Sequence, residues 1–190
     1  MNNENETQTH TALFAGGCFW CVEHDLREAP GVTAVVSGYT GGSMENPTYE
    51  DVLTETTGHR EAVKVSYDPT QISFKKLVQF FLDHIDPTDT EGQFADKGES
   101  YRSAIFYATR DEQNIAQSLL MELSESGVYD KPIATELIPR TAFYTAEESH
   151  QNYAEKNPIH YAMYRKGSGR EDFVQGVCKI REEKHIEWKE

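Results

Sequence analysis

The sequence predicts an α/β domain, a two-layer α+β sandwich in which helices pack on a mixed sheet around a ferredoxin-like core with long loops. Short β-branched apolar runs alternate with amphipathic helical stretches, the rhythm of a layered α/β domain. Four or five strands with helices packed on them suit a split βαβ arrangement, whose strand order periodicity leaves open. The 190 residues suffice for one domain with a sizeable core, and they contain no internal repeat.

The elements follow in order. His10 to Ala15 reads as a strand with an apolar end, and Gly16-Gly17 permits a tight turn out of it. Phe19 to Glu28 is a helix stopped near Pro30-Gly31, and Val32 to Tyr39, β-branched and alternating, is a second strand. From Thr40 to Gly58 the residues turn to Gly, Ser, Thr, Asn and Pro, which predicts a long loop with a short helical piece at 49–53. Glu61 to Tyr67 alternates again, with Glu61, Val63, Val65 and Tyr67 on one face, so a carboxylate heads an otherwise apolar row. Phe74, Leu77, Val78, Phe81, Leu82 and Ile85 form the stripe of a core-facing helix. A second long loop, 86–100, is rich in Asp, Thr and Gly, and Tyr101 to Ala108 reads as a strand. Thr109 and Glu112 make a capping box for a helix carrying Ile115, Leu119 and Leu123, with Gly127 as its stop. Ala134 to Ile138 is a further strand, and Thr145 with Glu148 repeats the capping box ahead of 149–153. The highly charged segment 181–190 is expected to fray.

A formal charge of −14 repels polyanions, which argues against nucleic acid or anionic membrane as a partner. The polar, acidic start has the pattern of neither a secretory signal nor a transit peptide, and no apolar run is long enough for a bilayer. A cytoplasmic monomer is therefore the expectation. Three cysteines make no disulfide framework, and in a reducing compartment Cys-x-x-Cys is catalytic or metal-binding. Zinc would need a second ligand pair, which the chain lacks at metal spacing, and haem attachment would need a His where Val22 stands. We expect no metal.

Cys18 follows the Gly-Gly turn at the start of a helix, where free N–H groups and the helix dipole favour the thiolate of a group with an ordinary pKa of about 8.5. Phe19 and Trp20 either wall a site for a small methyl- or sulfur-bearing group or pack in the core. Glu61, if its strand face is buried, is held protonated and able to donate near neutral pH; the alternative is a strand-end carboxylate in water. Tyr49, Asp96, Tyr101, Tyr153 and Tyr161 sit in or beside the loops and the late segment. Phenols can hold a polar oxygen, although most of the ten tyrosines are packing or surface residues. Cys21, three residues after Cys18, permits an intrahelical disulfide, and Cys178 is either a second resolving thiol or a buried small apolar residue.

Taken together, these residues resemble the A-type peptide methionine sulfoxide reductases. Gly16-Gly17-Cys18-Phe19-Trp20 is similar to the family's nucleophile motif and Gly38-Tyr39-Thr40-Gly41-Gly42 to its next signature. Asn46-Pro47-Thr48-Tyr49, Thr57-Gly58-His59-Arg60-Glu61, Asp96-Lys97-Gly98 with Tyr101-Arg102-Ser103, and Glu148-Ser149-His150-Gln151 with Tyr153 follow in order, so the likeness runs from about Phe14 to Arg170. The resemblance implies that Cys18 attacks the sulfur of a methionine-S-sulfoxide, protein-bound or free, while Glu61, helped by Tyr49 and Tyr101, binds the oxygen and supplies a proton. Phe19 and Trp20 would hold the methyl group, with Asp96 and Tyr153 supporting the pocket. Methionine leaves, Cys18 becomes a sulfenic acid, and repair of oxidised proteins is the outcome. No cofactor is implied beyond an external thiol reductant, thioredoxin or dithiothreitol.

Regeneration departs from the family's best-known pattern. Recycling cysteines found in many members after the tyrosine matching Tyr161, or in the segment matching Gly167-Ser168-Gly169-Arg170, are here Ala162 and Ser168. The resolving thiol is then Cys178 or Cys21, with Cys178 ranked first for a mobile tail, or an external thiol acts directly. A general thiol-disulfide oxidoreductase built on Cys18 and Cys21 is the alternative enzyme, and a redox-sensing or methionine-binding module the alternative outside enzymology. The chain then divides into a flexible segment 1–9, a single catalytic domain 10–180 and a charged tail 181–190.

Overall fold

A computed structural model describes residues 9–189; the expected flexible segment falls almost wholly outside them. The chain begins β1 (His10–Ala15), α1 (Phe19–Arg27), β2 (Val32–Thr40), α2 (Tyr49–Leu53), β3 (Arg60–Tyr67) and α3 (Phe74–Asp83). It continues through a small ribbon, β4 (Gly92–Gln93) and β5 (Asp96–Lys97), then β6 (Ala104–Tyr107), α4 (Arg110–Glu125), β7 (Glu136–Pro139) and β8 (Phe143–Thr145). Three helices close the chain: α5 (Tyr153–Lys156), α6 (Pro158–Gly167) and α7 (Arg170–Lys184).

The main sheet has the order β7-β6-β1-β3-β2-β8. Its four central strands, β6-β1-β3-β2, are antiparallel to one another in that order and connected as the expected ferredoxin-like core. The added edge strand β7 runs parallel to β6, which makes the sheet mixed, and β8 runs antiparallel to β2. α1 and α3 pack on the face that carries Phe14, Val35, Val63 and Val65, and the entire α3 stripe from Phe74 to Ile85 is buried there. The opposite face holds a smaller cluster of Leu13, Ala15, Ala62, Ala104 and Phe106, covered by Ile138 and Phe143. β3 therefore lies buried on both faces at the centre, and Glu61 points the same way as Val63, toward α1.

Several elements differ from the sequence reading. Tyr101 does not begin a strand but ends a 3₁₀ turn, Glu99–Tyr101, and pairing with β1 starts only at Ala104. Ala134 and Thr135 both donate their N–H groups to the Pro87 carbonyl, at 2.6 and 3.1 Å, so the strand there starts at Glu136. The second loop contains the β4–β5 ribbon, and β8 is an unpredicted strand. Thr145 ends β8 instead of capping a helix, and Glu148–His150 is a 3₁₀ turn with no side-chain cap. Thr109 caps α4 as expected, accepting from Glu112 N–H at 3.2 Å, but the Glu112 carboxylate turns to Ala108 N–H at 2.6 Å. Residues 181–189 do not fray: Arg181 pairs with Asp83 at 3.1 Å, and the Trp188 indole N–H donates to the same carboxylate at 3.0 Å. No helix among the described residues is long and apolar enough to cross a membrane.

Candidate active site

Cys18 is the residue before the first turn of α1, as the Gly-Gly motif predicts, and its carbonyl accepts from the N–H groups of Cys21 and Val22 at 3.1 and 3.3 Å. The turn is held from the far end of the chain. Arg170, at the start of α7, is fully buried and donates to the carbonyls of Gly16 at 2.6 Å and His84 at 2.9 Å while its guanidinium covers the Phe94 ring. Gly17 takes φ +83° and presses its α-carbon against Gln93 and Arg170, leaving no room for a side chain.

The expectation of a thiolate at Cys18 needs correction. Burial pushes the thiol well above its ordinary pKa, and the neighbouring Cys21 and Glu61 push it further, against one opposing hydrogen bond from Tyr164. Desolvation at 6 % exposure outweighs the helix N-terminus. The resting nucleophile is a thiol.

Glu61 stands opposite, on β3, with 2 % exposure and its Oε2 accepting the Phe19 N–H at 2.9 Å. Burial raises its pKa to about 8, partly offset by the bonds from Phe19 and Tyr101, with the Asp96 charge adding to the rise. The expected protonated carboxyl is in place. The Tyr101 hydroxyl reaches Glu61 and Tyr49, so two phenols and a carboxyl converge beside Cys18. Burial lifts Tyr49 to about 12 and Tyr101 higher still, which keeps both as hydrogen-bond donors.

The aromatic wall is an interlocked stack. The Phe19 ring lies 6.2 Å from that of Tyr49, and Trp20 stacks on Tyr153 with centroids 3.7 Å apart. Trp20 donates its indole N–H to His150 Nδ1 at 3.2 Å, which puts the ring's proton on Nε2. His150 in turn packs on Tyr49 and Phe19, at 4.4 and 5.2 Å. Tyr153 thus supports Trp20 from behind. Asp96, on β5, accepts from the Tyr164 hydroxyl, and Tyr164 also reaches the Cys18 thiol.

The two other thiols are in unlike places. Cys21 is buried against Cys18, which lowers its pKa through their mutual hydrogen bond, with Arg170 adding to the effect. Cys178 is exposed in the middle of α7, a helix anchored at both ends by Arg170 and Arg181, so the mobile-tail premise for ranking it first fails. Tyr161 is also apart from the convergence, buried against His24 with its hydroxyl accepting from Arg165 at 3.0 Å. Sequence reasoning missed Tyr164 and Arg170 as site residues. Tyr164 lies one turn beyond Tyr161 in a segment with no local signal, and Arg170 was legible only as the end of a motif.

A family model described as peptide methionine sulfoxide reductase matches residues 10–182. The chain is 53 % identical over 163 residues to "Peptide methionine sulfoxide reductase MsrA" of Bacillus velezensis, covering 86 % of this chain and 92 % of that protein. Its structure superposes on reduced Mxr1 from Saccharomyces cerevisiae with a TM-score of 0.75 and 31 % identity, over 81 % of this chain and 88 % of that one. It also matches Mxr1 in complex with Trx2, with a TM-score of 0.55 and 25 % identity, over 81 % and 91 % of the two chains. A thiol and a protonated carboxyl facing each other within an aromatic wall, on a chain so matched, belong to the peptide methionine sulfoxide reductase family.

Proposed function

We propose that this oxidoreductase, a methionine sulfoxide reductase by family, reduces the S epimer, free or in oxidised proteins, through Cys18 and Glu61. The observation that carries the assignment is the buried carboxyl, protonated up to a pH of about 8, bonded to the N–H of Phe19 beside the buried Cys18 thiol. The sulfoxide oxygen accepts from Glu61 and from the Tyr49 and Tyr101 hydroxyls, while Phe19 and Trp20 enclose the methyl group and Asp96 and Tyr153 brace the pocket. Hydrogen bonding to that oxygen makes the sulfur electrophilic. Cys18 sulfur attacks it, Glu61 passes its proton to the oxygen, and the thiol proton of Cys18 replaces it on Glu61. The S–O bond breaks as the oxygen transfers to Cys18, giving methionine and a sulfenic acid: the substrate sulfur is reduced by two electrons and Cys18 oxidised by two.

Cys21 is the resolving thiol in this reading, ahead of Cys178. It is already against Cys18, with the Arg170 charge nearby to favour its thiolate, and it attacks the sulfenic sulfur to form the disulfide and release water. Cys18 lies outside the helical turns, with φ −48° and ψ 118°, so joining it to Cys21 asks only for an adjustment at the start of α1. A thioredoxin in the cytoplasm then reduces the disulfide, a role supported by the yeast relative bound to Trx2. The electron balance closes with thiols alone, without a prosthetic group, and a single copy of this chain carries every group up to the disulfide.

The test is to incubate the protein with a racemic mixture of the two sulfoxide epimers and excess dithiothreitol, following each by chiral chromatography. Loss of the S epimer only, abolished by Cys18→Ser, is expected. Persistence of both epimers while a disulfide substrate is reduced would overturn the reading in favour of general thiol-disulfide exchange.

A further inference from the structure

α2, the short helix that begins with Tyr49, ends in the left-handed backbone region that favours glycine. The residue there is Glu55, at φ 59°. A side chain in that region is sterically costly, so its presence calls for a compensating contact. The N–H groups of Thr54 and Glu55 close back on the carbonyls of Asp51 and Val52, at 3.1 and 3.0 Å. The side chain reaches the turn that ends in Tyr101. Its carboxylate accepts from the hydroxyl of Ser100 at 2.6 Å and from the Ser100 N–H at 3.0 Å, a two-point grip on a residue that is itself 1 % exposed.

Gly98 is the other half of the fit. It sits at φ 133°, and a Cβ there would collide with the Glu55 carboxylate. The carboxylate therefore lies flat against the backbone that leads into Tyr101. Tyr49 at one end of α2 and Ser100-Tyr101 across the gap belong to separate loops, and the hydroxyls of Tyr49 and Tyr101 meet beside Glu61. Glu147 ties the Tyr49 N–H to the Tyr39 hydroxyl of β2, and Arg60 of β3 holds the Ser103 carbonyl; Glu55 is the side chain that bridges from the end of α2 to the turn of Tyr101 itself.

We propose that Glu55 is a positioning residue: by gripping Ser100 it holds the Tyr101 hydroxyl in register with Tyr49 and Glu61 over the substrate oxygen. This rests on the assignment of the two phenols to that oxygen. Glu55 touches neither substrate nor Cys18.

The test compares Glu55→Gly, which removes the carboxylate while suiting the left-handed backbone, with Glu55→Gln, which retains one acceptor oxygen. Each is made in the wild-type and Tyr101→Phe backgrounds, with methionine sulfoxide and dithiothreitol as the assay. In the wild-type background Glu55→Gly should keep its melting temperature, lower kcat about 5-fold with little change in KM, and move the alkaline limb of the pH–rate profile upward as Glu61 loses its Tyr101 bond. Glu55→Gln should recover part of the loss. In the Tyr101→Phe background Glu55→Gly should add nothing. An equal loss in both backgrounds, or no loss in either, overturns the role of Glu55. Full activity of Tyr101→Phe itself overturns the assignment of that phenol as well.

Discussion

Replacing Glu61 with glutamine separates the chemistry of the carboxyl from its shape. The amide keeps the volume and can still accept the Phe19 N–H, but it cannot pass a proton to the substrate oxygen. Loss of a general acid costs about 10²–10⁴-fold in kcat. The same substitution has a second consequence, for stability. The carboxyl carries a pKa of about 8 in the fold against an ordinary 4.5. A tenfold change in proton affinity is about 1.4 kcal/mol, so ionising Glu61 in place costs on the order of 4–5 kcal/mol. The sign follows from the raised value: between pH 4.5 and about 8 the folded state binds more protons than the unfolded one, so stability falls as pH rises across that window and levels off above it. The substituted amide does not titrate. Urea unfolding of both proteins at pH 5, 7 and 9 should therefore show the variant gaining on the wild type by several kcal/mol from pH 5 to 9. Parallel pH–stability curves would refute the buried, protonated carboxyl. Wild-type kcat for Glu61→Gln would refute its role as the acid.

Three further outcomes are expected. Cys21→Ser should stop turnover with a thioredoxin system while sparing one round of methionine release, and Cys178→Ser should leave the thioredoxin-driven rate unchanged; the opposite pattern would return the resolving role to Cys178. Tyr164→Phe removes the hydrogen bond that lowers the Cys18 pKa, so alkylation of Cys18 in a Cys21→Ser, Cys178→Ser background should need a higher pH than it does with Tyr164 intact. Arg170→Met strips the guanidinium from the buried Gly16 carbonyl and the half-buried His84 carbonyl and should cost about 3 kcal/mol, lowering Tm by on the order of 6–12 °C; an unchanged melting curve would show that the Gly16-Gly17 turn holds without it.

The parts of the site that were legible are those whose signal is local. The Gly-Gly turn placed Cys18 ahead of α1, and the alternation along β3 put Glu61 on the buried face with Val63 and Val65. The α3 stripe was legible for the same reason, because helical period and burial coincide over a full ten residues. β8 was not legible: three residues hold no periodicity, and Phe143 to Thr145 become a strand only because β2 offers them an open edge. Tyr101 was misread as strand because its sequence is β-compatible, while the turn that holds it depends on Gly98 and on Glu55, distant in the chain.

By itself the sequence pointed to a layered α/β domain, the nucleophile's turn and the carboxyl on an apolar strand face, since backbone preferences and hydrophobic period act between neighbours; the oxygen-binding phenols came from the ordered motifs of the family resemblance. The state of those groups belonged to the tertiary structure. Burial depends on what other segments cover: it holds Cys18 as a thiol against the expectation, and it encloses Glu61, which pushes that carboxyl upward. It also separated the two spare thiols, setting Cys21 against the nucleophile and leaving Cys178 exposed on an anchored helix. Desolvation and reach are sums over contacts between segments far apart in the chain, and no local pattern of residues encodes them.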